Sequence, residues 1–190
     1  MAGWFRARRR QAPAQATGRE SLAPGPTDGP DARGLLEEYV RAGKVMQLAT
    51  VDPDGRPYVN NLWFASTLRP DRLLFISRPN RLHCEYIRDR SDVAGAILAI
   101  ELHDPSQPVQ GVTFTGTARE LPTTGIDEQI GVYQRRWPPT AAAIDPARMA
   151  AGEAHHRVYE ITVSGWVLYD EIHFRGSPRQ PVAAIGTRAG

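Results

Sequence analysis

Between Val45 and Phe174 the sequence is a succession of short apolar runs broken by turn residues, and that spacing leaves few folds open. Val45 to Val51 and Pro57 to Ser66 flank Asp52-Pro53-Asp54-Gly55, a composition suited to a tight turn, so the pair predicts a hairpin. A turn at Arg69-Pro70-Asp71 leads to the run Leu73-Leu74-Phe75-Ile76. Val93 to Leu102 is almost continuously apolar, the pattern of a strand buried on both faces. Val109 to Glu120 alternates, and its glycines let a strand bend. Two final strands are predicted over Arg157 to Val163 and Trp166 to Phe174, with Gly165 between them. About seven strands joined mostly by short turns favour a closed antiparallel barrel, and the irregular placing of helices argues against a doubly wound parallel sheet.

Helices are predicted beside that barrel. Asp31 can cap one whose stripe is Leu35, Leu36, Tyr39 and Val40, with Gly43 placed to end it. From Gly125 to Arg136 the spacing of Ile126, Ile130, Tyr133 and Trp137 is helical, and Pro138-Pro139 stops it. Residues 138–156 read as a loop with a short helix after Asp145-Pro146. Residues 1–30 are rich in Ala, Pro, Gly and Arg without an apolar period, which predicts a disordered basic tail. One domain over 31–175 follows, and 176–190 is expected to be mobile.

Composition removes several classes of function. A net charge of +2, with basic residues scattered beyond residue 10, gives no electrostatic footprint for nucleic acid. The single cysteine, Cys84, excludes an internal disulfide and a multi-cysteine metal site, and fits a reducing, cytoplasmic setting. No apolar run is long enough to cross a bilayer.

The chemistry concentrates where the Leu73 strand ends. Ser77-Arg78-Pro79-Asn80 follows it, and Asn80 is an N-cap candidate for a helix carrying Leu82, Cys84, Tyr86 and Ile87. Such a junction gathers a hydroxyl, free N–H groups, a helix dipole and the donors Arg78, Arg81 and His83, which suits a phosphate; the alternative is an ordinary connection with solvated arginines. Asn60-Asn61 interrupts an apolar and aromatic strand before Leu62-Trp63-Phe64, so either something polar is bound there or the amides lie at a solvated edge. His155-His156 reads as a pair of exposed loop histidines, and Cys84 as a buried structural thiol.

The order of these features resembles the FMN-binding split-barrel superfamily typified by pyridoxamine 5′-phosphate oxidase. The carriers are MQLATVDPDGRPYVNNLWF, LLFISRPNRLHCEYI, VAGAI, GVTFTGTARELPTTGIDEQIGVYQRRWP and RVYEITVSGWVLYDEIHF. FTGTAREL and VYQRRWP are most similar to the YhbP-like branch. The resemblance implies a mainly β (α+β) chain, a split barrel of about six to seven antiparallel strands with peripheral helices. It implies FMN bound at a homodimer interface, with Val59, Asn60, Asn61, Leu62 and Trp63 alongside the isoalloxazine ring and Ile76 and Ser77 near ribityl and phosphate. Arg81 and His83 fall near the Arg-Lys pair that holds phosphate in the oxidases, with Arg78 and Asn80 in the same turn. Tyr133, Arg136 and Trp137 are expected from the other subunit. The oxidases' C-terminal Arg-x-His substrate motif is absent; Asp170, Glu171 and His173 stand in that region. The implied activity is flavin-dependent hydride or electron transfer to a small planar substrate. A deazaflavin-dependent reductase and a non-catalytic flavin or haem sensor, with His83 as an axial ligand, are the alternatives.

Overall fold

The computed structural model describes residues 31–101 and 103–186. The expected basic tail, 1–30, lies outside them, as do the last four residues of the expected C-terminal one.

Eight antiparallel strands form one curled sheet. They are β1 (Val45–Val51), β2 (Pro57–Trp63), β3 (Ala65–Leu68), β4 (Asp71–Ser77), β5 (Asp92–Leu98), β6 (Gln110–Glu120), β7 (Arg157–Asp170) and β8 (Arg179–Ala183). The order is β2-β1-β5-β6-β7-β4-β3, with β8 added to β7, and the sheet curls so that β2 comes near β4 without pairing to it. This is the mainly β split barrel that the resemblance implies, where the turn spacing alone favours a closed one. Among the described residues four α-helices surround it: α1 (Ala32–Ala42), α2 (Leu82–Asp89), α3 (Asp127–Arg136) and α4 (Pro146–Ala150). None of the described helices is long and apolar enough to cross a membrane.

Local signals account for much of this. Asp31 accepts from Arg33 N at 3.0 Å to cap α1, and Asp145 accepts from Arg148 N at 2.9 Å to cap α4. Gly43 ends α1 for a reason other than a left-handed conformation. Its φ is −61°, and a Cβ there would lie 2.2 Å from Ile97 Cγ2. In the β1–β2 turn Gly55 does take a positive φ, 85°, and donates to Asp52 O at 3.0 Å.

The core has two parts. Leu48, Phe64, Leu73, Phe75, Ile97, Phe114, Ile161 and Trp166 fill the barrel. Outside the barrel wall, Leu74 and Val158 pack under Ile126, Ile130, Tyr133, Ile144 and Met149 of the α3–α4 segment. β4 is therefore covered on both faces. The doubly buried strand expected over Val93 to Leu102 is instead β5, which ends at Leu98 and buries Val93 and Ile97 on one face while Ala94 and Leu98 face out. Among the described residues no helix covers its outer side, so apolarity alone misassigned the layer.

Three other boundaries differ. The run Pro57 to Ser66 breaks at Phe64 into β2 and β3, which pair with different strands, β1 and β4. The two final strands are one, β7, in which Ser164 is the extra residue of a bulge: Thr115 pairs with Gly165 and Gly116 with Val163. Within the segment expected to be mobile, residues 179–183 form a strand and Ile185 is hydrogen-bonded. β8 pairs with β7, and Ile185 exchanges bonds with Asp71, donating to Oδ2 at 3.0 Å and accepting from Asp71 N at 2.7 Å.

Candidate functional site

The break at Phe64 builds the first part of the site. Where β2 gives way to β3, the carbonyls of Trp63 and Phe64 accept from α3: Tyr133 OH at 3.2 Å and Trp137 Nε1 at 2.7 Å. Burial pushes the Tyr133 phenol up to about 12, so it keeps the proton it donates. Trp137 meets Trp63 edge to face with centroids 4.7 Å apart. Beside these contacts lies a cleft of about 400 Å³ lined by Asn61, Leu62, Trp63, Ile76, Tyr133, Trp137, Pro139 and Thr140. Its walls are mainly apolar and aromatic, with the Asn61 amide at the rim, and Trp63 is 55% exposed.

Strand alternation divides the predicted β2 residues. Val59, Asn61 and Trp63 face outward, whereas Asn60 and Leu62 turn toward the barrel. Asn60 Nδ2 is buried without a hydrogen-bond partner among the described residues. The two adjacent amides thus serve opposite faces, and only Asn61 lines the cleft.

The turn after β4 supplies the polar part. Ile76 lines the aromatic cleft, and Arg78, two residues on, lines an open cleft of about 520 Å³ with Pro79, Asn80, Gly152, Ala154, His155 and Arg157. Asn80 is exposed and does not cap α2; Arg81 is the N-cap residue, without a side-chain cap bond. The first-turn N–H groups of α2 therefore carry no capping side chain.

His83 departs from expectation. It is 6% exposed, turned into the barrel end, and its Nε2 lies 2.9 Å from the buried Ser77 Oγ. Burial, and secondarily the Arg81 charge, lower its pKa, which works against a cationic phosphate donor there. A small imidazole at a helix first turn can fold inward to a strand-end hydroxyl, which sequence position does not reveal. Beside it Cys84 is fully buried, and burial raises its thiol, consistent with an inert structural role.

Arg136 also has another task. It does not line the cleft but donates to the Arg41 carbonyl at 3.0 Å and to that of Gly43, closing the C-terminus of α1, with its guanidinium 5.3 Å from the centres of the Phe64 and Trp137 rings. Tyr133 and Trp137 reach the cleft from the chain's own α3. In the C-terminal region Asp170 is buried and engaged by Tyr39 OH at 2.6 Å and His173 Nδ1 at 2.7 Å. His155 and Arg157 were not predicted as site residues. A basic pair just before a strand was the only available signal, and it becomes meaningful once β7 pairs Arg157 with Ser77.

The family model for pyridoxamine 5′-phosphate oxidase matches residues 34–169. The chain belongs to that family. A curated relative, a UPF0306 protein of Pasteurella multocida (strain Pm70), is 23% identical over 126 residues, covering 66% of this chain and 72% of its own length. It fits the YhbP-like branch of the family. Among solved structures, a heme-binding protein from Mycobacterium smegmatis shares the fold with a TM-score of 0.65 at 14% identity, over 81% of this chain and 58% of that one. An FAD-binding protein from Mesorhizobium loti gives a TM-score of 0.53 at 22% identity, over 69% of this chain and 88% of the other. The two share this fold and differ in the group their names give, heme in one and FAD in the other.

Proposed function

We propose that this chain is a flavin-dependent oxidoreductase that binds FMN and works in the cytoplasm as a homodimer on a small planar substrate. The observation that carries the reading is the aromatic cleft between β2 and α3, with one amide at its rim and a basic turn two residues beyond its Ile76 wall. A planar tricyclic ring suits walls made by Trp63, Ile76, Tyr133 and Trp137. The Asn61 amide suits the polar edge of that ring, and the turn from Arg78 to Arg81 suits a phosphate. Family membership supports the same cofactor class, and the FAD-binding relative of the fold supports a flavin in particular.

Bound flavin would supply the redox chemistry. The chain's own residues then orient the ring, exclude water from its aromatic side and offer donors to its rim. Tyr133, held protonated with its hydroxyl on the Trp63 carbonyl, is a wall rather than a proton carrier. The C-terminal Asp170 and His173, bonded to each other and to Tyr39, are structural on this reading, so the oxidase substrate motif has no counterpart in them. The single cysteine is the basis for the cytoplasmic assignment.

The test is the visible absorption spectrum of protein purified without added cofactor, with mass spectrometry of the small molecule released on denaturation. Released FMN is expected. A deazaflavin or haem would move the protein to the corresponding alternative, and a colourless protein that takes up none of the three would refute the redox assignment.

A further inference from the structure

The sheet order ends at β3, and a cleft of about 470 Å³ opens where α1 and α3 both come against that strand. Three guanidinium groups line it, Arg41, Arg135 and Arg136, and no carboxylate does. Arg41 is paired through Nη2 to Glu37 Oε2 at 2.7 Å, but Glu37 also holds Arg33 and Arg69, each at 2.8 Å. Those guanidinium groups, Arg33 chief among them, hold the Glu37 carboxyl down to about 2. Arg136 has no carboxylate partner among the described residues. Its guanidinium lies 5.3 Å from the centres of the Phe64 and Trp137 rings, Nη2 is committed to the Arg41 and Gly43 carbonyls, and Nε is buried without a hydrogen-bond partner. Burial lowers its pKa, the mark of a cation that lacks a counter-charge. Arg135 is exposed and makes no side-chain hydrogen bond or ion pair among the described residues. The Ser66 hydroxyl likewise has no partner among them, whereas Thr67 donates its own to the Pro70 carbonyl at 2.9 Å. Cations from two helices thus converge on one cleft without the anion that would balance them.

We propose that this cleft binds a small dicarboxylate, one carboxylate on Arg136 and the other on Arg135, with the Ser66 hydroxyl as a further donor. A guanidinium set against two rings and tied at Nη2 keeps one open edge, at Nη1. One edge suits a planar carboxylate better than a tetrahedral anion, which accepts from several directions. Arg135 is a second donor that a monocarboxylate would leave unused, and the Val132 and Leu68 side chains of the lining suit the methylene chain between the two acids. Trp137 lines the aromatic cleft and Arg136 does not, so the two sites are distinct and this one does not rest on the flavin reading.

Calorimetric titrations of the full chain with malonate, succinate and glutarate at fixed ionic strength test this, with acetate and inorganic phosphate for comparison. Arg135→Ala is the site variant, and Arg175→Ala, at an exposed arginine outside the cleft, controls for net charge. Both should melt with the parent, since neither side chain has a partner among the described residues. At least one dicarboxylate is expected to bind about tenfold or more tighter than acetate and to lose about tenfold in Arg135→Ala, as removal of a charge-assisted hydrogen bond implies, with no change in Arg175→Ala. The same affinity is expected with and without added FMN, which keeps this result apart from the outcome of the flavin test. A dicarboxylate that FMN displaces would belong to the flavin's site and overturn the proposal. So would failure of all three dicarboxylates to bind, equal losses in the two variants, or phosphate bound as tightly as the best dicarboxylate.

Discussion

Replacing Asp71 with asparagine removes the charge from a buried carboxylate that accepts four hydrogen bonds. Its side chain is 0% exposed and takes Arg33 in a fork, Nη1 to Oδ2 at 2.7 Å and Nη2 to Oδ1 at 2.6 Å. Oδ2 also accepts from Trp166 Nε1 at 2.8 Å and from Ile185 N at 3.0 Å. An amide keeps the shape but offers one acceptor atom, so one Arg33 N–H must face an NH₂ group. Breaking a buried pair in this way costs roughly 3–5 kcal/mol. Arg33, with its side chain 17% exposed, keeps Glu37 Oε1 at 2.8 Å and the Leu68 carbonyl at 2.7 Å, which argues for the lower end. About 3 kcal/mol in a domain of this size lowers the melting temperature by about 6–12 °C. Far-UV circular dichroism melts at neutral pH measure it, and hydrogen exchange should report a loosened Ile185 amide. The pH dependence gives a second check. Burial works to raise the Asp71 pKa, but Arg33, the Ile185 N–H and Trp166 together hold it below the ordinary value. A depressed carboxylate stabilises above its unfolded pKa and loses that contribution as pH falls through the folded value. The gap between parent and Asp71→Asn should therefore shrink on acidification. A drop under about 2 °C at neutral pH, or a gap that persists in acid, would refute the reasoning.

Two further predictions concern the barrel end and its bulge. Because burial lowers the His83 pKa, the unfolded chain gains a proton there before the native one does, so this group removes stability as pH falls below the ordinary histidine value of about 6.5. An NMR titration should find His83 titrating below that value, and titration at or above it would contradict the burial of the ring. Gly116→Ala places a Cβ 2.4 Å from the Thr162 carbonyl oxygen and 3.1 Å from Val163 Cα, both backbone atoms that cannot rotate aside. A loss of about 2–3 kcal/mol in urea unfolding is expected, and an unchanged midpoint would mean the bulge is looser than its pairing indicates.

Much of the fold was legible because its signals are local. The caps at Asp31 and Asp145, the Gly55 turn and the apolar stripe of α3 act over a few residues, and each appears where the sequence places it. The errors share another cause. Leu73 to Phe75 and Val93 to Leu102 both read as apolar runs, but only the former lies beneath the α3–α4 segment, and nothing in a run says which strand a distant helix will cover. The end of the chain looked loose because β8 is short and polar. Its order comes from pairing with β7 and from the buried Asp71 more than a hundred positions away.

The candidate site divides along the same line. Of the residues the sequence singles out, Asn61, Trp63, Ile76, Tyr133 and Trp137 line one cleft and Arg78 another, and the sequence also pointed to the family to which the chain belongs. It could not say that Asn60 turns inward, that His83 folds against Ser77, or that Arg136 closes α1. Nor could it bring the 152–157 loop to the turn after β4, which requires the Ser77–Arg157 register. Composition, caps and turns are properties of neighbours along the chain, and the sequence by itself determines them. The direction of a side chain and the company it keeps are set by which strands pair and which face is covered, and the tertiary structure decided those through packing between residues far apart in the chain.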